Sequence, residues 1–323
     1  MKKSGLTSIL ITYFNEKELL IRCLHSINKQ SLLPNEVIIY DDASDINVKE
    51  YIDKKKYDFS IQIVRGEENK GPGYGRNLLL AMAKGEFIRF HDADDELLEN
   101  ALLEIEKAII KSKADIILNE VTSYDEKGKL ISEKVIGLSQ DIMDIFGFSL
   151  VHTLLIPSIT YKKDIAISIE GFKLRSVLPQ SEDADFNRRI FLKTNNFYFI
   201  NKALVRQNIR SLGYSSKNHS LVWTSNLKSL LDLKQKISSH HFPSYAEALL
   251  KTGLQLYHQK NYHSAKIAFN AYKTSGYANY LNYNIVKRNL AKVFGPMFTE
   301  HLSMIYKNLL PANIREKLKN ING

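Results

Sequence analysis

A single cysteine, Cys23, is present in 323 residues. This excludes an internal disulfide framework and a cysteine-only zinc cluster, and it suits a reducing compartment such as the cytoplasm. No apolar stretch approaches the roughly 20 residues that span a bilayer. The apolar run at 9–14 follows Lys2 and Lys3, but it is short, is broken by Asn15 and Glu16 and lacks a small-residue cleavage site. It therefore reads as a buried strand and not as a signal peptide. Acidic residues are scarce in one region: 211–323 holds 15 Lys+Arg against 4 Asp+Glu, whereas 1–210 holds 30 against 31. The whole basic excess of +10 lies in the last third, which points to a polyanionic partner there. With no recognised nucleic-acid-binding module, two readings stand: a solvated helix face, or an anionic membrane surface contacted by a protein peripheral on its cytoplasmic face.

What is present is the mix of a globular protein, 44% apolar and 25% charged, long enough for one large domain and an appendage. Short β-rich apolar runs fall at 8–12, 37–40, 61–64, 87–90, 115–118 and 197–200. Helical spacing runs through 16–30, 74–83, 97–111 and 181–193. Near-continuous apolar strands alternating with helices predict an α/β fold with a mostly parallel central sheet flanked by helices. From about 220 the pattern is purely helical, with a hairpin over 245–275. Gly213, Ser215, Ser216 and Asn218 supply loop chemistry, so a domain at 1–215 followed by a helical extension at 216–323 is expected. Leu249, Gly253, Leu256, Ala265 and Phe269 have the spacing of one tetratricopeptide-type unit. A lone unit of that kind lacks the neighbours that bury its core, and an ordinary helical hairpin is favoured. His219, His240, His241, His258 and His263 have no metal-site spacing.

In a sheet of this kind ligands bind beyond the carboxyl ends of the strands, and acids gather there. Asp92-Ala93-Asp94 follows the strand at 87–90. Two carboxylates one residue apart can offer hard oxygen ligands to magnesium or manganese; the alternative is that Asp95 caps the next helix. Asp41-Asp42 ends the strand at 37–40, where a turn competes with a carboxylate that accepts from a base N–H. The segment from Glu68 to Asn77 is glycine-rich and carries Arg76, but it lacks the spacing of a phosphate-cradling P-loop or a dinucleotide fingerprint. Glu182-Asp183 opens a helix, either as dipole-favoured acids or as a general base.

The pieces "ILITYFNE", "NEVIIYDDAS", "ENKGPGYGRN", "KGEFIRFHDADDE" and "EGFKL…SEDADFNRRI" occur in this order over about 7–210, and together they resemble bacterial, non-processive family-2 glycosyltransferases of the GT-A fold. The resemblance implies inverting transfer from a nucleoside-diphosphate sugar, a UDP-sugar above all, to a saccharide or lipid-linked acceptor, with Mn2+ or Mg2+. It implies that Thr12, Phe14 and Glu16 border the nucleotide, that Asp42 or Asp41 reads the base with Arg76 nearby, and that Asp92 and Ala93 line the donor. Asp94, with Asp92, would hold the metal, and Asp183 would be the catalytic base. Phe14 stands where the family has a tyrosine, and Asn208 where a histidine is common. Gln207-Asn208-Ile209-Arg210 is followed by Ser211, unlike the Gln-x-x-Arg-Trp of processive synthases. Two other readings are a sugar-phosphate nucleotidyltransferase, which would need a glycine-rich loop after the first strand, and a non-catalytic helical-tail scaffold.

Overall fold

A computed structural model describes residues 5–139, 141–210, 218–277 and 283–309. The loop residues Gly213, Ser215 and Ser216 and the basic stretch 310–323 lie outside them. The backbone divides into two compact units, Met1–Asn226 and Leu227–Gly323, the division falling within one helix, His219–Leu233.

The first unit is built on one sheet. Strands β1 (Thr7–Tyr13), β2 (Glu36–Asp41), β3 (Ile61–Arg65) and β4 (Phe87–Asp92) stand in the order β3-β2-β1-β4, all parallel. β1 and β2 are buried almost throughout, because helices cover both faces and neither face needs polar residues. The sheet continues through β8 (Ile159–Lys162), β6 (Ile116–Tyr124), β9 (Phe197–Asn208) and β5 (Glu96–Leu97), with β7 (Leu130–Ser132) pairing beside β6. β6 and β9 are parallel, whereas β8, β5 and β7 make antiparallel pairings. The sheet is thus mixed, with its parallel half where the acids cluster. The antiparallel members run to only two to four residues, too short to leave a periodic signature.

Helices α1 (Lys17–Asn28) and α2 (Pro72–Met82) follow β1 and β3. Leu20, Cys23, Leu24 and Ile27 form the buried stripe of α1. Pro72 starts α2, where its missing N–H costs nothing. Gly75 lets α2 lie directly on the sheet: a Cβ there would meet the Tyr40 ring at 2.5 Å and Thr12 Cγ2 at 2.9 Å. α3 (Ala101–Ser112) begins well beyond Asp95, so Asp95 does not cap it. α4 (Ile145–Val151) and α5 (Lys163–Ser168) precede α6 (Glu182–Lys193), which buries Phe186, Ile190 and Phe191. Phe186 stacks on Phe172 with centroids 3.9 Å apart, and Phe90 meets both rings edge-on. Each such buried ring contributes on the order of 2 kcal/mol, and the cluster holds the start of α6 close to β4.

The second unit is helical: α7 (His219–Leu233) enters it, followed by α8 (Phe242–His258), α9 (Tyr262–Lys273), α10 (Ile285–Phe294) and α11 (Pro296–Leu309). α8 and α9 form the hairpin expected over 245–275. Gly253 admits the Phe269 ring so closely that a Cβ would lie 2.6 Å from it. Among the described residues no helix is long and apolar enough to cross a membrane.

Asp185 anchors α6 from within. Its buried carboxylate takes Lys173 at 3.0 Å and Arg189 at 2.7 Å, while Arg189 also donates to the carbonyls of Ile169 and Gly171. Burial alone would raise this carboxyl, but Arg189 and Lys173 bring it below its ordinary value. Asp185→Asn is expected to cost about 3 kcal/mol at pH 7, as when one partner of a buried pair is removed. A lowered folded pKa gives stability that is present above the unfolded value and lost as pH falls through the folded one. The gap between wild type and variant in urea unfolding should therefore hold near neutrality and close below the ordinary 3.8.

Candidate active site

Parallel pairing brings the carboxyl ends of β1, β2 and β4 to one edge, with Thr12 opposite Asp92 and Tyr13 opposite Asp41. Asp41 has no exposed surface. It accepts from the Ser44 amide at 2.9 Å, the Val48 amide at 3.3 Å and Arg65 Nη1 at 2.7 Å. With both oxygens engaged inside the fold, Asp41 shapes the turn. Asp42 accepts from the Lys70 and Gly71 amides, each at 2.8 Å. It therefore pins the glycine-rich loop, and its oxygens keep lone pairs for one further donor. Asn15, in left-handed backbone, exchanges hydrogen bonds with Asp45, and its amide donates to Ser44 Oγ. That contact ties the Phe14–Glu16 corner to the β2 turn. Phe14 is exposed and Thr12 half-buried.

Asp92 to Asp95 form a tight turn in which the Asp95 amide donates to the Asp92 carbonyl at 3.2 Å. Ala93 is buried within it and can offer a ligand only its backbone. Asp94 accepts from Arg210 at 2.9 Å, and the same guanidinium reaches Glu16. Burial, then the charges of Asp92 and Glu16, push the Asp94 carboxyl up to about 6, against the pull of Arg210. Asp95 is raised further by burial and by its two neighbours. It accepts from the Asn208 amide, while Asn208 Nδ2 donates to the Asp94 carbonyl at 2.8 Å. Asn208 thus fastens the end of β9 to the turn.

Across from this turn, Arg76 is buried. Its Nη2 lies 3.2 Å from Asp92 and its Nη1 2.9 Å from Glu182, and the guanidinium lies over the Phe172 ring. Burial opposes its charge, but Asp92, Glu182 and Asp183 outweigh burial and raise its pKa. Burial raises the Glu182 carboxyl, with Arg76 opposing and Asp183 adding. Asp183, half-buried, accepts the Ala184 amide at 2.7 Å. Ser181 before it adopts left-handed backbone at φ 58°, and no side chain caps α6. Asp92, Asp94, Glu16, Arg76, Glu182 and Asp183 therefore share one neighbourhood.

Asp94, Asp92 and Glu16 offer oxygen donors only. That donor set fits a hard divalent cation. His91, at the end of the same strand as Asp92, is buried, and burial and Arg89 push its ring down to about 3. Glu182 was weighed only as the partner of Asp183 and Asn208 only as a departure from a common histidine, and Arg210 was not proposed for the site. Arg210 stood in the stretch that served only to exclude a processive synthase.

The fold agrees with that of Staphylococcus aureus TarS (residues 1–349) in complex with UDP, at TM-score 0.60 and 20% identity over 76% of this chain and 71% of that one. The first unit is thus a GT-A domain. The Glycosyl transferase family 2 model matches residues 8–165, the span that carries Thr12 through Asp94. Glycosyltransferase GlyG of Streptococcus pneumoniae is 29% identical over 124 residues, 38% of this chain and 41% of that protein. The chain therefore spans under half the length of that relative. The Campylobacter jejuni GalNAc(5)-diNAcBac-PP-undecaprenol beta-1,3-glucosyltransferase is 27% identical over 97% of this chain and 96% of that protein.

Removing the guanidinium at position 76 leaves Asp92 and Glu182 facing each other. Arg76→Ala is expected to cost about 3 kcal/mol in urea unfolding. Arg76→Lys, which keeps the charge but loses the fork, should recover only part of it; full recovery would show that charge alone matters.

Proposed function

We propose that this chain transfers a sugar, with inversion, from a nucleoside-diphosphate sugar to an acceptor hydroxyl, and that a UDP-sugar is the donor. The observation that carries this reading is Arg76, one guanidinium bonded both to Asp92 at the β4 turn and to Glu182 beside Asp183. Donor-side acids and a candidate base therefore sit within reach of one reacting carbon. Asp94 and Asp92 would hold Mn2+ or Mg2+, which when bound supplies Lewis-acid stabilisation of the departing diphosphate. Asp42 and Phe14 border the nucleotide, Asp42 as acceptor for a base N–H and Phe14 as an exposed ring for stacking. Arg76 holds Asp92 and Glu182 in place around the sugar. Asp183 accepts the proton of the acceptor hydroxyl as that oxygen attacks the anomeric carbon from the face opposite the diphosphate. A positioned base contributes roughly 10²–10⁴-fold.

Asp183→Asn should lower transfer by about that factor while UDP still raises the melting temperature in the presence of manganese. Asp94→Ala should abolish the manganese-dependent part of that shift. Wild-type transfer by Asp183→Asn would remove the base assignment.

The helical unit we assign to acceptor or membrane contact, at a surface-glycan assembly step. A relative that acts on a PP-undecaprenol-linked saccharide supports a lipid-linked acceptor. α10 and α11 leave Ile285, Val286, Val293, Phe294, Phe298 and Ile305 exposed, interleaved with Lys287, Arg288 and Lys292. This combination suits an anionic interface. The protein should co-sediment with phosphatidylglycerol vesicles in a salt-sensitive way and far less with phosphatidylcholine. Val293→Asp with Phe294→Asp should abolish it. Equal recovery with both lipids would count against the assignment.

A further inference from the structure

Arg210 sits where two claims on Asp94 meet. Its Nη2 donates to Asp94 Oδ2 at 2.9 Å and to Glu16 Oε1, so one guanidinium neutralises two carboxylates that are 78 residues apart in sequence. It is held there by its own strand. Two residues earlier, Asn208 fastens β9 to the turn through the Asp95 carboxylate and the Asp94 carbonyl. Both Arg210 bonds use Nη2; of its other donors, Nε is buried and has no hydrogen-bond partner among the described residues. The residue is therefore a cation paired with two acids through one nitrogen, with donors left over for a further acceptor.

Asp94 is also the carboxylate assigned to the divalent cation. A guanidinium and a divalent cation sharing one carboxylate repel each other, at a distance where the local dielectric screens poorly. The repulsion is relieved when an anion arrives that both can contact. Arg–phosphate pairing is geometrically well matched, and Nε is available for it.

We propose that Arg210 makes cation binding conditional on a diphosphate. It competes with the divalent cation for Asp94 and Glu16 while no anion is near, and it becomes a diphosphate ligand when the donor binds. The site then takes up cation and nucleotide together and holds the cation alone only weakly. By linkage, the factor by which the diphosphate raises cation affinity equals the factor by which the cation raises diphosphate affinity. Arg210 is the residue that sets this factor. The proposal rests on the glycosyltransferase reading and concerns binding order, not chemistry.

The test is manganese binding followed by electron paramagnetic resonance, with and without UDP, in wild type, Arg210→Gln and Arg210→Lys. Wild type should bind Mn2+ alone weakly and bind it at least about tenfold more tightly with UDP, within the usual range of coupling factors. Arg210→Gln should bind Mn2+ alone several-fold more tightly than wild type, bind UDP less tightly in its presence, and show a coupling factor near one. Arg210→Lys, with its charge kept, should bind Mn2+ alone as weakly as wild type. Unchanged or weaker Mn2+ affinity in Arg210→Gln, in protein with wild-type circular dichroism, would overturn the proposal while leaving the glycosyltransferase reading intact. If wild type binds no UDP with manganese, the glycosyltransferase reading fails with it.

Discussion

A single buried guanidinium organises the catalytic edge of this molecule. Arg76 comes from the helix after β3, Asp92 from the end of β4 and Glu182 from the start of α6, and the arginine touches both acids. Buried charges persist when each is paired and hydrogen-bonded. Here the pairing has a geometric effect beyond stability. It sets the distance between the acids at the end of β4 and the helix end that carries Asp183. The aromatic stack of Phe172 on Phe186 supports the same spacing from below, and Arg76 lies over its upper ring.

The second organising feature is an excess of negative charge. Asp92, Asp94, Asp95 and Glu16 crowd one turn, and burial lifts two of them well above ordinary carboxylates. Such crowding costs folding energy unless cations answer it. The protein answers in two ways. Asn208 and the turn's own amide bond the backbone and Asp95, and Arg210 supplies the charge on the open side.

Much of this was legible in the residues. β1 to β4 and α6 were readable because parallel strands buried on both faces leave unbroken apolar runs, and the motifs sit at their ends. The hairpin of α8 and α9 was equally plain, since its small residues fall where rings must enter. What stayed hidden was non-local. β5 and β8 are too short to show a period, and β9 ends in the polar residues Arg206, Gln207 and Asn208. Asp95 looked like a helix cap, because acids before a helix usually are; its burial under Asn208 depends on a strand 113 residues away. Arg210 meets Glu16 across 194 residues, and nothing in its immediate neighbours announces that. Asp41 and Asp42 looked equivalent as neighbouring acids. The pleat turned Asp41 into the fold and left Asp42 to tether the next loop.

That tether has a consequence for how the donor pocket comes into being. Loops of glycine and polar residues ordinarily surrender many conformations when a ligand arrives, and affinity suffers accordingly. Here the Asp42 carboxylate already grips two successive amides, those of Lys70 and Gly71. The ordering of this wall belongs to the folding of the chain, and a nucleotide meets a surface whose shape is settled in advance.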